Sequence, residues 1–228
     1  MDNRHVIVTG GAGGVGLAVV ETALARGARV TVPHLGPDGL DRIRARLGEP
    51  DGLTFVPCDL TQEDAVAELL GRPHDALIHL MGGFTMAPVH EMSFDAFRNH
   101  VTLQLMGTFL CCKHALRHMR ETGYGRIVTV GSKAVEAPMA NVGAYASGKA
   151  GVVALTRIVA EETKSLADVT ANCVLPSVVD TPANRAAMGD EHVAEWVSPS
   201  GFAETVCFLA SAAARDLRGA VIPIYAKS

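Results

Sequence analysis

A tyrosine and a lysine stand four residues apart in the stretch GAYASGKA, residues 143–150. At helical spacing Tyr145 and Lys149 lie on one face, where the phenol can donate a proton and the ammonium can lower the pKa of the phenol. An ammonium about 4 Å away contributes roughly 4 kcal/mol at an effective dielectric constant of about 20, but only about 1 kcal/mol in open water. The pair therefore predicts proton transfer in a sheltered cleft.

The same stretch also has the spacing of a phosphate-binding loop, a glycine followed after four residues by Gly148-Lys149. Such a loop follows a strand and carries a hydroxyl residue after its lysine to hold Mg²⁺. Position 150 is alanine, and the residues before the loop, VEAPMAN, have no strand pattern. We therefore favour the proton-transfer interpretation.

Ser132 adds a third polar group, because it ends the strand pattern RIVTVGS thirteen residues before Tyr145. Ligands of a parallel sheet bind at the carboxyl ends of its strands. The Ser132 hydroxyl could therefore hold a substrate carbonyl while Tyr145 protonates it. The hydride for such a reduction would come from a nicotinamide.

A glycine-rich segment, TGGAGGVG, directly follows the first strand pattern, HVIVT. Glycines permit a tight turn and let backbone amides approach a phosphate at the N-terminus of the next helix. Both dinucleotide-binding patterns fit, G-x-G-x-x-G from residue 11 and T-G-x-x-x-G-x-G from residue 9. The residues predicted to contact a dinucleotide are Gly10, Gly13, Gly14, Val15 and Gly16.

The position that distinguishes NAD from NADP is not acidic. A carboxylate about 20 residues after the glycines binds the ribose hydroxyls of NAD, but His34 ends the second strand pattern there. The absence of a carboxylate leaves room for a 2′-phosphate, although no arginine is obviously placed to bind one. A histidine at position 34 is compatible with NAD and with NADP, and we slightly favour NADP.

Short aliphatic runs alternate with helical patterns along the chain. The runs that predict strands are HVIVT (5–9), ARVTV (28–32), LTFVP (53–57), ALIHL (76–80), RIVTV (126–130), ANCVL (171–175) and AVIPI (220–224). Helical patterns lie near 14–26, 61–70, 94–119, 145–166 and 201–213. This alternation predicts right-handed βαβ units and an α/β, doubly wound sheet of seven parallel strands, in one domain over residues 1–228.

Composition and charge exclude several partners. The net charge of −4 gives no basic footprint for nucleic acid, and no window reaches the ~18 apolar residues of a membrane span. Five cysteines without C-x-x-C spacing predict free thiols and a cytoplasmic protein. His114 and His118 lie one helical turn apart, but without a third ligand they predict a surface pair and no metal site.

These motifs together resemble the short-chain dehydrogenase/reductase (SDR) family across almost the whole chain. Beside the glycine loop and Ser132, Tyr145 and Lys149, the matching pieces are Asp59 in PCDLT, Gly82 after the fourth strand and LPSVVDT around Pro176 and Thr181.

The resemblance implies a Rossmann-type fold, a small-molecule substrate and specific cofactor contacts. Asp59 would accept a hydrogen bond from the adenine, Thr181 would contact the nicotinamide carboxamide and Lys149 the nicotinamide ribose. From the residues alone, Asp59 could equally cap the helix that follows it. The other implied cofactor-binding residues are Leu60, Gly82, Tyr145 and Pro176. Homodimers or homotetramers through the helices near 94–119 and 145–166 are also implied.

The chain departs from the family pattern at two places near the site. Where the family has Asn-Asn-Ala-Gly, this sequence has His79-Leu80-Met81-Gly82, and we expect His79 to be a core residue. Gln104 aligns with the asparagine that helps the lysine to relay protons, and we assign it to the catalytic set. Its longer side chain changes the geometry of that relay.

Three functions are consistent with these residues. The leading hypothesis is an NAD(P)-dependent carbonyl reductase or alcohol dehydrogenase. The run VLPSVVDTPANRAAM with MGGF resembles the dihydropteridine reductase branch, which lacks the serine and suggests a pterin reductase instead. A non-catalytic redox sensor is the third. Segments 84–89, 139–142 and 184–196, with Met86, Met139, Met188 and Trp196, are expected to shape an apolar substrate pocket, near which Arg185 could bind an anionic group.

Overall fold

Seven parallel strands form one sheet in the computed structural model, which describes residues 1–227. The strands are β1 (His5–Thr9), β2 (Arg29–His34), β3 (Leu53–Pro57), β4 (Ala76–His79), β5 (Tyr124–Val130), β6 (Asp168–Pro176) and β7 (Val221–Ile224). Their order across the sheet is β3-β2-β1-β4-β5-β6-β7. The predicted seven-stranded, doubly wound α/β fold is confirmed, although Ser228 lies outside the described residues.

The strand order reverses between β1 and β4, because the chain first winds outward to β3 and then returns to the other side of β1. At such a reversal the connections leave in opposite directions and open a crevice above the carboxyl ends of the strands. The glycine loop follows β1 and Gly82 follows β4, so both predicted cofactor-binding segments border this crevice.

Helices cover both faces of the sheet. They are α1 (Gly14–Ala25), α2 (Pro37–Leu47), α3 (Glu63–Leu70), α4 (Phe94–Val101), α5 (Gly107–Thr122), α6 (Gly143–Glu162), α7 (Pro182–Met188) and α8 (Pro199–Leu209). One apolar core joins the sheet to α1, α2 and α8, and a second joins it to α3, α5 and α6. The aliphatic strands are therefore buried on both faces, as parallel sheets require.

Two helices and one interruption differ from the sequence-based expectation. The helices α2 and α7 were not predicted, because α2 buries a single residue, Ile43, and α7 buries none. The long helix expected near 94–119 is divided by a π-helical turn, Thr102–Met106, into α4 and α5. This turn contains Gln104, so the irregular segment lies at the predicted site.

Candidate active site

The glycine loop forms a tight turn that ends in an uncapped helix. Gly10 has a φ of +68°, and a Cβ atom on Gly16 would lie 2.1 Å from the carbonyl oxygen of Gly10. Within the described residues no side chain caps α1 at Gly13, and its first turn holds no acidic residue. The first N–H groups of α1 are therefore available to an anion. The loop fits the pyrophosphate of a dinucleotide, and Val15, in the first turn, packs against the core beneath it.

Ser132 and Tyr145 meet above the carboxyl end of β5. Ser132 is buried, and its Oγ accepts a hydrogen bond from the Ala134 amide at 3.2 Å. Burial raises the pKa of Tyr145, and a hydrogen bond with Ser132 opposes part of this rise. The Tyr145 phenol is therefore protonated at neutral pH, and its ring packs edge-on against Phe84 at 5.0 Å.

Lys149 lies one turn further along α6, with its side chain buried. Its ammonium donates a hydrogen bond to the Val130 carbonyl at 2.8 Å, and burial lowers its pKa from 10.5 to about 8. A Cβ atom on Gly82 would lie 3.3 Å from the Lys149 Nζ, so glycine leaves the space that the ammonium needs. The net pKa of Tyr145 is raised rather than lowered, because burial outweighs the hydrogen bond with Ser132.

Gln104 is fully buried in the π-helical turn and faces the same site. Its Nε2 donates to the Gly83 carbonyl at 3.1 Å and lies 2.6 Å from the Nε2 of His100. Its Oε1 has no hydrogen-bond partner within residues 1–227. Sequence reasoning missed His100, although its i,i+4 spacing from Gln104 could have drawn attention to it.

His79 is a core residue, as expected from the sequence. Its Nδ1 lies 3.0 Å from the Thr9 hydroxyl, and burial lowers its pKa to about 3, so the ring is neutral. Its Nε2 has no partner in the described part of the chain. The ring therefore supports the end of β4 by packing and by one hydrogen bond.

Asp59 forms a local turn. Its Oδ1 accepts hydrogen bonds from the amide and the hydroxyl of Thr61, at 2.9 and 2.7 Å. Interpreting Asp59 as a helix cap is wrong, because α3 begins at Glu63 after Gln62. The side chain of Leu60 is buried in the core, so a cofactor can reach only its backbone.

The remaining cofactor-binding candidates lie at strand ends around the crevice. His34 ends β2, and its Nδ1 lies 3.2 Å from the Gly36 carbonyl. Pro176 ends β6, and Thr181 caps α7 by accepting a hydrogen bond from the Asn184 amide at 3.2 Å. The Thr181 Cβ lies 3.0 Å from the position of a Cβ on Gly14, so the segment before α7 lies directly against the glycine loop.

Exposed apolar side chains surround the mouth of the site. More than half of each of Phe84, Met86, Met139 and Met188 is exposed, whereas Trp196 is buried. A cavity nearby shares only Val89 with the expected segments. A space of about 270 Å³ opens beside the start of α6, and its lining residues are Val89, Met92, Phe94, Phe97, Gly143 and Ala144.

Arg185 is held by carboxylates of its own segment. Its guanidinium bonds Asp180 through two nitrogens, at 2.6 and 2.8 Å, and Asp190 at 3.1 Å. The alternative in which Arg185 binds an anionic substrate therefore requires these pairs to break. The rim of the site offers a substrate apolar surface rather than a free cation.

The expected surface pair of histidines is wrong for His114, which is buried beside Glu63 at 3.3 Å. His118 instead stacks on His74, with ring centroids 4.7 Å apart. Within residues 1–227, no group of three or more His, Cys, Asp or Glu side chains could hold a metal ion. None of the described helices has the length and apolar character needed to cross a membrane.

A glycine loop at the switch in strand order, with a protonated tyrosine, a serine and a lysine around the carboxyl end of β5, defines a class of enzyme. The class is the nicotinamide-dependent oxidoreductases with a Rossmann-type fold. The family model for short chain dehydrogenases matches residues 4–192. The chain belongs to the SDR family.

Characterised relatives span nearly the whole chain. The cis-4-hydroxycyclohexanecarboxylate dehydrogenase of Sinomonas cyclohexanicum is 34% identical over 236 residues, covering 97% of this chain and 94% of the relative. The 3-oxoacyl-[acyl-carrier-protein] reductase MabA of Mycobacterium tuberculosis is 34% identical over 238 residues, covering 97% and 91%. Among solved structures, an SDR protein from Burkholderia thailandensis is 29% identical, with a TM-score of 0.89 and coverage of 99% and 92%. This chain is an NAD(P)-dependent oxidoreductase, and these relatives favour neither a pterin reductase nor a sensor.

Proposed function

We propose that this protein interconverts a small secondary alcohol and its ketone. The observation that carries the proposal is the half-buried, protonated Tyr145, hydrogen-bonded to the buried Ser132 at the carboxyl end of β5. Both relatives named above act, by their names, on a ring alcohol or a 3-oxo group, which are a secondary alcohol and a ketone. We also propose that residues 1–228 form a single NAD(P)-binding domain.

In ketone reduction, the substrate oxygen sits between Ser132 and Tyr145. Because the Ser132 Oγ accepts from the Ala134 amide, its own proton can turn toward the substrate oxygen. Tyr145 then donates its proton to that oxygen as negative charge develops. A bound nicotinamide dinucleotide supplies the hydride to the carbonyl carbon.

Lys149 and Gln104 restore the proton that Tyr145 gives up. The Lys149 ammonium is fixed on the Val130 carbonyl, so one of its protons is used and others remain to be donated. With a pKa of about 8, it exchanges protons readily near neutral pH. Gln104 lies against Gly148, the residue before Lys149, with a carbonyl oxygen that has no partner among the described residues. Lys149 and Tyr145 would also hold the nicotinamide ribose.

The other cofactor contacts follow from the crevice. The amides of the glycine loop would bind the pyrophosphate, Gly82 would border the ribose, and the Thr181 hydroxyl keeps a proton to donate to the carboxamide. Asp59, with the backbone of Leu60, would bind the adenine, and Pro176 would pack beside the nicotinamide. If this placement holds, a Gly14→Val variant should bind neither the reduced nor the oxidised form of the cofactor.

We infer a preference for NADP over NAD, supported by the absence of a carboxylate where His34 ends β2. A carboxylate there would repel a 2′-phosphate. His34→Asp should therefore lower kcat/KM for NADPH at least tenfold and spare NADH. An unchanged ratio would remove His34 from the ribose site.

The decisive experiment follows the absorbance of NADH and NADPH with ketones, aldehydes, quinones and quinonoid dihydropterin. Tyr145→Phe should abolish turnover on every substrate. Ser132→Ala should cost about 10² or more in kcat for a ketone, because the oxygen loses a positioned donor. If Ser132→Ala hardly changes kcat with quinonoid dihydropterin, the result would support the pterin reductase. Cofactor binding without turnover on any substrate would support the sensor.

We also propose that copies of the chain associate as a homodimer or homotetramer through α5 and α6. Exposed apolar residues lie on these helices and the turn before α5, namely Met106, Phe109 and Ile158. A monomeric mass in light scattering would contradict this. Five free, buried cysteines support a cytoplasmic location, where thiols stay reduced.

A further inference from the structure

The contact between His100 and Gln104 fixes which ring nitrogen of His100 carries a proton. The Gly83 carbonyl can only accept, so the group that faces it at 3.1 Å is the amide nitrogen of Gln104. The second proton of that nitrogen points to the His100 Nε2, 2.6 Å away. His100 Nε2 must therefore accept, which places the proton of the neutral ring on Nδ1.

This arrangement directs the carbonyl oxygen of Gln104 toward α6. The Oε1 lies 3.5 Å from the position of a Cβ on Gly148, the residue before Lys149. It is buried, and within residues 1–227 it has no partner. Lys149 Nζ lies 3.3 Å from the corresponding position on Gly82, beside the Gly83 that Gln104 binds. An unused acceptor and an ammonium with protons to spare, in one buried region, are the partners that a bridging water requires.

We propose that His100 is a positioning residue for proton delivery, whose neutral ring holds the Gln104 amide with its oxygen toward Lys149. A protonated ring carries a proton on Nε2 and attracts the Gln104 oxygen instead. The amide then turns over, loses its bond to Gly83, and presents N–H donors to the Lys149 donor. The inference rests on the proposed reaction, in which Lys149 restores the proton of Tyr145.

The surroundings of His100 determine the pH at which this change occurs. Burial, followed by the charge of Lys149, lowers the pKa of His100, and the Gly83 carbonyl opposes part of this effect. The titratable groups that face it are Lys149 and Tyr145, both from α6, and its own helix also carries the Arg98–Asp95 ion pair. The neutral ring is therefore the form present at pH 7, and protonation in acid reduces turnover.

The first test compares pH profiles of kcat. The wild-type enzyme should lose kcat in acid with a midpoint below 6.5, the ordinary pKa of histidine. His100→Phe should lose about tenfold in kcat at pH 7 with less than a twofold change in KM, and that midpoint should disappear. Asn99→Ala, at an exposed neighbouring position on α4, should keep the wild-type profile. An acid midpoint retained in His100→Phe would overturn the proposal.

The second test needs neither turnover nor a variant of His100. Nitrogen-15 NMR of the folded wild-type protein should show the His100 Nε2 unprotonated and the Nδ1 protonated, and Gln104→Met should release that preference. A protonated Nε2 at pH 7 would overturn the proposal even if His100→Phe fails to fold. A wild-type protein that turns over no substrate would defeat the proposed function, whereas the tautomer tests separately whether His100 holds the Gln104 amide.

Discussion

The buried Lys149 should destabilise the folded protein, so replacing it with an uncharged residue should make the protein more stable. The change of its pKa from 10.5 to about 8 on burial means that the charged form is disfavoured inside the protein. At roughly 1.4 kcal/mol per pKa unit, the difference corresponds to about 3 kcal/mol below pH 8. Lys149→Met removes this cost. It also leaves the Val130 carbonyl without its donor, which destabilises the variant by roughly 1 kcal/mol.

The net gain in the free energy of unfolding should therefore be about 2 kcal/mol at pH 7. For a chain of this size, that corresponds to a rise in Tm of roughly 4 to 8 °C. The gain must depend on pH. The unfolded chain binds more protons than the native protein between pH 8 and 10.5, so the wild-type stability rises through this range and the advantage of the variant fades.

Urea unfolding of the cofactor-free protein at pH 7 and pH 10 tests this reasoning. Lys164→Met is the matched control, because the Lys164 side chain is 62% exposed and pairs with Glu161 at the surface. It should change the free energy of unfolding by less than about 0.5 kcal/mol at either pH. A Lys149→Met variant that is less stable than wild type at pH 7, by an amount independent of pH, would refute the argument that burial dominates at Lys149.

Three further outcomes are expected. Gly16→Ala should abolish dinucleotide binding in calorimetry, because its Cβ would lie 2.1 Å from the Gly10 carbonyl oxygen, whereas Gly36→Ala, with no described atom within 4 Å, should bind nearly as wild type. Asp168→Asn should lower Tm by several degrees, or about 1–2 kcal/mol, because the fully buried Arg126 loses its charged partner at 2.6 Å. Asp216→Asn, at the surface, should leave Tm unchanged. An aromatic disulfide at pH 8 should label less than one thiol in the native protein and five after unfolding, because all five cysteines are free and buried.

The strands and the glycine loop could be predicted because each is encoded locally. Buried parallel strands must be aliphatic over several consecutive residues, and a close turn before a helix must be glycine. The helix α7 was not predicted because it buries no residue, so its sequence carries no apolar period. The fate of Arg185 could not be predicted either, since its pairing with Asp180 depends on the path of the chain between them.

The π-helical turn illustrates a different limit. Residues 94–119 have the pattern of one helix, and local propensity gives no reason to interrupt it. The interruption instead coincides with tertiary contacts, since Gln104 bonds the loop after β4 and lies against Gly148 of α6. The i,i+4 spacing places His100 and Gln104 on one face of a helix. Their hydrogen bond could not be predicted, because packing determines which face meets the neighbouring helix.

Several polar groups that break the ordinary rules of a protein interior lie within this one region. Lys149 is a buried ammonium, and the Gln104 Oε1 and the His79 Nε2 are buried without partners among the described residues. Each costs free energy, and a hydrophobic residue would avoid that cost. They lie near the carboxyl ends of β4 and β5, where the proposed function requires a bound polar dinucleotide and the transfer of a proton. The stabilisation of Lys149→Met and the loss of turnover that we expect with it are therefore two consequences of one fact, that this part of the interior is built for the bound state.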